Sequence, residues 1–77
     1  MTFLRPIDVQ KKMKISRAYL YTLIKNGLFP KPVKFQKKMS LWNEAEVNKI
    51  MEAFYNQSDK KQIKELVKKI EQTRTIR

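Results

Sequence analysis

Arg17, Ala18, Tyr21, Thr22 and Lys25 stand at positions i, i+1, i+4, i+5 and i+8, the spacing of one face of an α-helix. The set holds two cations, two hydroxyls and one small residue, and no acid. A guanidinium can fork onto a phosphate or the edge of a guanine, and an ammonium meets phosphate as a point charge. The Tyr21 and Thr22 hydroxyls, one turn on, can donate to phosphate or base. This is the chemistry needed to lie in a groove of DNA. A second set, Lys34, Gln36, Lys37 and Lys38, brings three more cations in a short stretch and can lie over backbone or minor groove.

Catalysis has no comparable set. The acids Asp8, Glu44, Glu46, Glu52, Asp59, Glu65 and Glu71 read as helix-start or helix-surface residues, not as a convergent acid–base group. A single glycine rules out a glycine-rich phosphate loop, and the lack of Cys and His excludes disulfides and Cys–His zinc sites. The expectation is a non-enzyme without metal or cofactor.

The elements that must carry these residues are legible in outline. Ser16 is placed to cap the helix that bears Arg17, Gly27 to end it, and Pro30 to keep it ended. Leu20, Leu23, Ile24 and Gly27 form its inward stripe, with Tyr19 between the two faces. A preceding helix is predicted from Pro6 to Met13, with Asp8 at its positive end and Val9 and Met13 inward. Lys14 and Ile15 make the turn, Ile15 placed as a hydrophobic staple against Leu20. Two short helices joined by a tight turn are a helix-turn-helix, the second being the reader.

Pro30 and Pro32 force an extended path. Val33–Gln36 and Met39–Trp42 then read as a hairpin wing with Lys37-Lys38 at its tip, while Phe29 and Trp42 are expected in the core. Asn43 and Glu46 have the spacing of a capping box for a third helix, whose core stripe is Val47, Ile50, Met51 and Phe54. A break is predicted at Asn56-Gln57-Ser58, and Ser58 as the cap of a last helix fraying from Thr73. Its stripe, Ile63, Leu66, Val67 and Ile70, needs burial against the domain, a second copy or another protein. The fold class is therefore mostly α: a winged helix-turn-helix over residues 1–57 and an extra C-terminal amphipathic helix over residues 58–77.

The net charge of +11 on 77 residues favours a polyanionic partner. It is concentrated in residues 1–42, where Asp8 is the sole acid. No apolar run approaches a membrane span or the core of a signal peptide. Acids interrupt the polar face of the last helix, which lacks an aromatic anchor. A cytoplasmic protein associated with the bacterial nucleoid, and not a membrane binder, is expected.

The series Ser16-Arg17-x-x-Leu20-Tyr21-x-Leu23-Ile24-Lys25-x-Gly27-x-Phe29-Pro30-Lys31-Pro32-Val33-Lys34, with Trp42 and Glu46-Val47 beyond it, resembles the AlpA family of small prophage regulators. That family is similar to the MerR-type winged helix and to phage excisionases. The resemblance runs without gaps over roughly residues 3–55. It implies a winged helix-turn-helix protein of a mobile element that binds DNA near a promoter or an attachment site. Such a protein acts as a transcriptional regulator or as a directionality factor for excision. Arg17, Tyr21 and Thr22 match its reading-helix positions, and Lys38 its usual wing arginine. The chain departs from the family pattern at Lys14, Gln36 and Lys37, where glycines are common, and at Thr22 and Leu41, where arginines are usual.

Duplex DNA is thus the expected partner, with self-association on it as a further expectation. The alternative is an accessory subunit that docks through Ile63, Leu66, Val67 and Ile70 on a recombinase or replication enzyme of the same element and presents nucleic acid, single-stranded included.

Overall fold

The computed structural model describes residues 2–35 and 39–74. In chain order the elements are β1 (Phe3–Leu4), α1 (Pro6–Met13), α2 (Arg17–Lys25), β2 (Val33–Phe35), β3 (Met39–Asn43), α3 (Glu44–Tyr55) and α4 (Lys60–Arg74). Helix α1 occupies the predicted span. The N–H of Arg5 donates to the Asp8 carboxylate at 3.0 Å, so the acid serves the helix start rather than the surface. Lys14 ends α1 in the left-handed region, at φ 58°. It is the position where the resembled family often has glycine.

Helix α2 ends as a Schellman motif. The N–H of Leu28 donates to the Leu23 carbonyl at 2.9 Å and that of Gly27 to Ile24 at 3.1 Å, with Gly27 at φ +76°. Helix α3 ends the same way with Gln57 at φ 59° in the glycine role, its N–H and that of Ser58 donating to Phe54 and Ala53. This is the physical form of the break expected at residues 56–58.

Strand β3 is the centre of a three-stranded antiparallel sheet in the order β1-β3-β2. Val33 faces Leu41 and Phe35 faces Met39 across the wing, while Leu4 faces Trp42 on the other edge. Strand β1 was absent from the sequence expectation. Two residues are too short for an alternating pattern, and only pairing with β3 makes them a strand.

The core is one cluster. Val9, Leu20, Phe29, Trp42, Val47 and Ile50 are sealed from solvent, and Ile63, Val67 and Ile70 of α4 join them. Trp42 meets Phe29 edge-on at 5.9 Å between ring centroids, a favoured aromatic geometry. Its indole N–H donates to the Pro30 carbonyl at 2.9 Å, so the one polar atom of the largest core side chain is satisfied.

Several expectations need correction. Asn43 caps α3 alone, accepting from the Ala45 N–H at 2.8 Å. Glu46 does not close the capping box, because its carboxylate is taken by Arg74 at 2.6 Å. The cap of α4 is Asp59 rather than Ser58. Asp59 accepts from the Gln62 N–H at 2.8 Å and Gln62 returns a side-chain acceptor to the Asp59 N–H at 3.2 Å, a reciprocal box. Thr73 and Arg74, expected to fray, are helical.

Two stability measurements check this account. Replacing Lys14 with glycine removes the left-handed strain of a side chain and is expected to raise unfolding free energy by about 1 kcal/mol in urea titration. Trp42→Phe leaves the Pro30 carbonyl unpaired and the core short of atoms, and is expected to lower it by about 2–3 kcal/mol.

Candidate nucleic-acid interface

Helix α2 sorts its residues by face. Leu20 and Leu23 are buried, whereas Arg17, Ala18, Tyr21, Thr22 and Lys25 are all exposed. The Ser16 hydroxyl accepts from the Tyr19 N–H at 3.1 Å, which satisfies an orphan donor of the first turn. Tyr19 itself, placed between the faces by its spacing, is 54% exposed and stands outward.

The outward groups are partly organised before any ligand arrives. The Arg17 guanidinium carbon lies 5.8 Å from the centroid of the Tyr21 ring, within cation–π range. Arg17 therefore leans along the helix face. The Thr22 hydroxyl donates to the Ala18 carbonyl at 3.0 Å. This corrects the sequence expectation for Thr22. Its proton is already used, and what it offers outward is an acceptor lone pair and a methyl group.

A cation at the first position of α2 opposes the helix dipole, which favours negative charge there. The first turn of α2 holds no acid to offset it. Arg17 thus gains nothing from the dipole of its own helix, and what it contributes to the helix is its contact with Tyr21.

On the wing, Lys34 stands opposite Ser40 and its ammonium donates to the Ser40 hydroxyl at 2.9 Å. That bond uses one of three ammonium hydrogens and holds the charge beside the hairpin. Gln36, Lys37 and Lys38, the expected wing tip, lie outside the described residues.

The tertiary structure adds a feature that one-dimensional reading missed. Arg5, Pro6, Ile7, Arg17, Tyr21, Met39 and Ser40 line an open cleft of about 410 Å³ between the start of α1, the start of α2 and the outgoing wing strand. Arg5 has no role of its own in the sequence expectation, beyond being one of the cations of residues 1–42. Its position just before Pro6, at the mouth of a helix, was the available signal. The cleft brings two guanidiniums and two hydroxyls together beside the half-exposed apolar Ile7 and Met39. Such a mixture suits a phosphodiester together with the face or methyl group of a neighbouring base.

The residues expected to face a protein partner lie elsewhere. Ile63, Val67 and Ile70 are buried in the chain's own core, and Leu66 is half-buried against it. Of the three ways left open for covering this stripe, the structure shows packing on the chain's own domain. Among the described residues no group of three or more acids is arranged to hold a metal ion.

Comparison with protein families matches residues 2–53 to the family described as Prophage CP4-57 regulatory protein (AlpA). The matched stretch runs from β1 into α3 and includes α2, the wing and the cleft; α4 lies beyond it. No curated protein and no solved structure matches the chain.

Charge reversal at Arg17 separates stability from binding. In Arg17→Glu the loss of the contact with Tyr21 is offset by a favourable dipole interaction of about 0.3–1 kcal/mol. Thermal unfolding is expected to shift by no more than a few degrees, while duplex retention in a gel-shift titration falls steeply.

Proposed function

We propose that this chain, which belongs to the AlpA family of prophage regulatory proteins, is a sequence-specific binder of duplex DNA that regulates genes of a mobile element. The observation that carries the reading is the face of α2. Arg17, Ala18, Tyr21, Thr22 and Lys25 are solvent-exposed together, on a helix whose other face is fixed in the core.

The geometry performs recognition in a definite way. Helix α2 enters the major groove by its N-terminal turn, where reading helices of this type meet base edges. Arg17 reaches a guanine edge or a phosphate, held in place by Tyr21. Tyr21 donates its hydroxyl, and Thr22 presents its methyl and lone pair. Lys25, two turns on, meets phosphate. Lys34 brings the wing against the backbone, and the Arg5–Arg17 cleft takes the phosphate where wing and helix converge.

The reading is of a binding protein, without a catalytic step. Asp8 and Asp59 serve helix starts, Glu44 and Glu46 pair with Lys12 and Arg74, and Glu71 accepts from the Lys31 N–H. These acids are engaged in holding elements together. No helix among the described residues is long and apolar enough to cross a membrane, and the site of action we infer is the cytoplasm. Action at an attachment site, as an excisionase, would use the same surface on a different DNA site. The accessory-subunit reading draws no support from α4, whose apolar residues lie in the core.

Footprinting on duplexes from the ends of the host element and from its promoters tests the proposal. Protection at promoters supports regulation, and protection confined to the ends supports excision. With about five phosphates contacted, log affinity is expected to fall against log salt with a slope of about −4 to −5. Unchanged duplex affinity in the triple variant R17A/Y21A/K25A would overturn the assignment.

A further inference from the structure

We propose that the last turn of α4 is a positioning device for the wing: Glu71 and Arg74 hold the two roots of the β2–β3 hairpin and so set its angle on DNA. The inference rests on the DNA-binding reading above and gives a task to a helix that lies beyond the family match.

Lys31 is the residue through which the chain leaves the helix-turn-helix for the wing. It sits between Pro30 and Pro32, whose rings fix two of the torsions on either side. Lys31 is exposed, and its N–H and carbonyl belong to no sheet ladder. Both find partners on α4. The Lys31 N–H donates to Glu71 Oε2 at 2.8 Å, and the Lys31 carbonyl accepts from Arg74 Nη1 at 2.5 Å.

The other side of the same guanidinium holds the second root. Arg74 Nη2 and Nε donate to Glu46 Oε1 at 2.6 and 3.1 Å. Glu46 lies in the first turn of α3, which follows β3 without a loop. One planar fork therefore joins the chain just before β2 to the chain just after β3. The pair is four-fifths shielded from solvent, at 18% and 19% side-chain exposure, so water competes weakly for it.

The strands it controls are three and five residues long. A hairpin of that size has little independent stability. Its direction must be imposed at its base. Trp42 fixes the outgoing end of β3 by its bond to Pro30. The α4 clamp fixes the neighbouring residue on the incoming side. With both in place Met39 and Ser40 of β3 are held beside Arg17 and Arg5, where they line the cleft.

The test is the double variant Glu71→Ala/Arg74→Ala in the full chain. It removes one charge of each sign and leaves the net charge unchanged, so a change in salt dependence reports geometry. The probe is a duplex that the wild-type chain retains. Three quantities are measured: duplex affinity against salt, amide hydrogen exchange, and thermal unfolding followed by Trp42 fluorescence. The expected result is faster exchange at Lys31, Val33 and Phe35, with α2 amides unchanged. Affinity falls about tenfold and the salt slope becomes shallower by about 1–2, as wing phosphates are lost. A merely destabilising pair of substitutions would leave the slope of the folded fraction where it was.

Glu71→Gln keeps an acceptor for the Lys31 N–H and is expected to retain most of the affinity. Should the double variant fail to fold, Arg74→Lys replaces it, since an ammonium cannot hold Glu46 and Lys31 in one plane. The same shallower slope is expected from it. An unchanged slope and affinity in a folded variant overturns the clamp, whatever happens to exchange. Failure of the wild-type chain to retain any duplex overturns the DNA-binding reading instead. Exchange at Lys31, Val33 and Phe35 then decides the clamp alone: faster exchange in the folded variant supports it, and unchanged exchange overturns it.

Discussion

The structure depends on where Trp42 is held. The indole occupies the centre of the core, donates to the Pro30 carbonyl and packs edge-on against Phe29. Its strand is the middle one of the sheet, with β1 on one side and the wing on the other. The acceptor belongs to the stretch that leaves α2. One buried side chain therefore ties α2, the β2–β3 pair and the N-terminal strand to a common point. A shift there would reach all of them, because close-packed interiors transmit displacement instead of absorbing it.

Around that point the charges divide their work. Among the described residues, ion pairs of Lys12 with Glu44 and of Arg74 with Glu46 join one helix to another. Asp8 and Asp59 serve helix starts and Glu44, Glu46 and Glu71 are engaged between elements, while Arg17, Lys25 and Lys34 are exposed. A surface of this kind raises the local concentration of a polyanion and speeds its encounter, in a salt-dependent way.

Among the described residues, two non-glycine positions are left-handed and mark where the chain turns sharply. Lys14 closes α1 and Gln57 closes α3. In each the backbone accepts strain because the flanking apolar residues, Met13 and Ile15 on one side and Phe54 on the other, pack on the core. Glycine does the same task without strain at the end of α2. Helix α4 then returns across the molecule. It supplies three core residues and, at its far end, the groups that grip Lys31.

The amino-acid pattern by itself determined the spans of α1 and α2, the Ser16 cap, the Gly27 stop, the two strands β2 and β3 and the break before α4, since each is a local matter of period, capping and backbone freedom. It determined the outward face of α2 for the same reason: a helix with one apolar stripe has only one way to turn. Tertiary structure alone decided the rest. Strand β1 exists only because β3 offers it an edge, and Arg5 became part of a cleft only when α1, α2 and the wing converged. Glu46 left a local cap for Arg74, 28 residues away, because a shielded guanidinium fork binds a carboxylate more strongly than a backbone N–H open to water. The stripe of α4 could have met the domain, a second copy or another protein on its periodicity alone. Which of these it covers is a matter of the path of the chain, and no spacing of residues records that path.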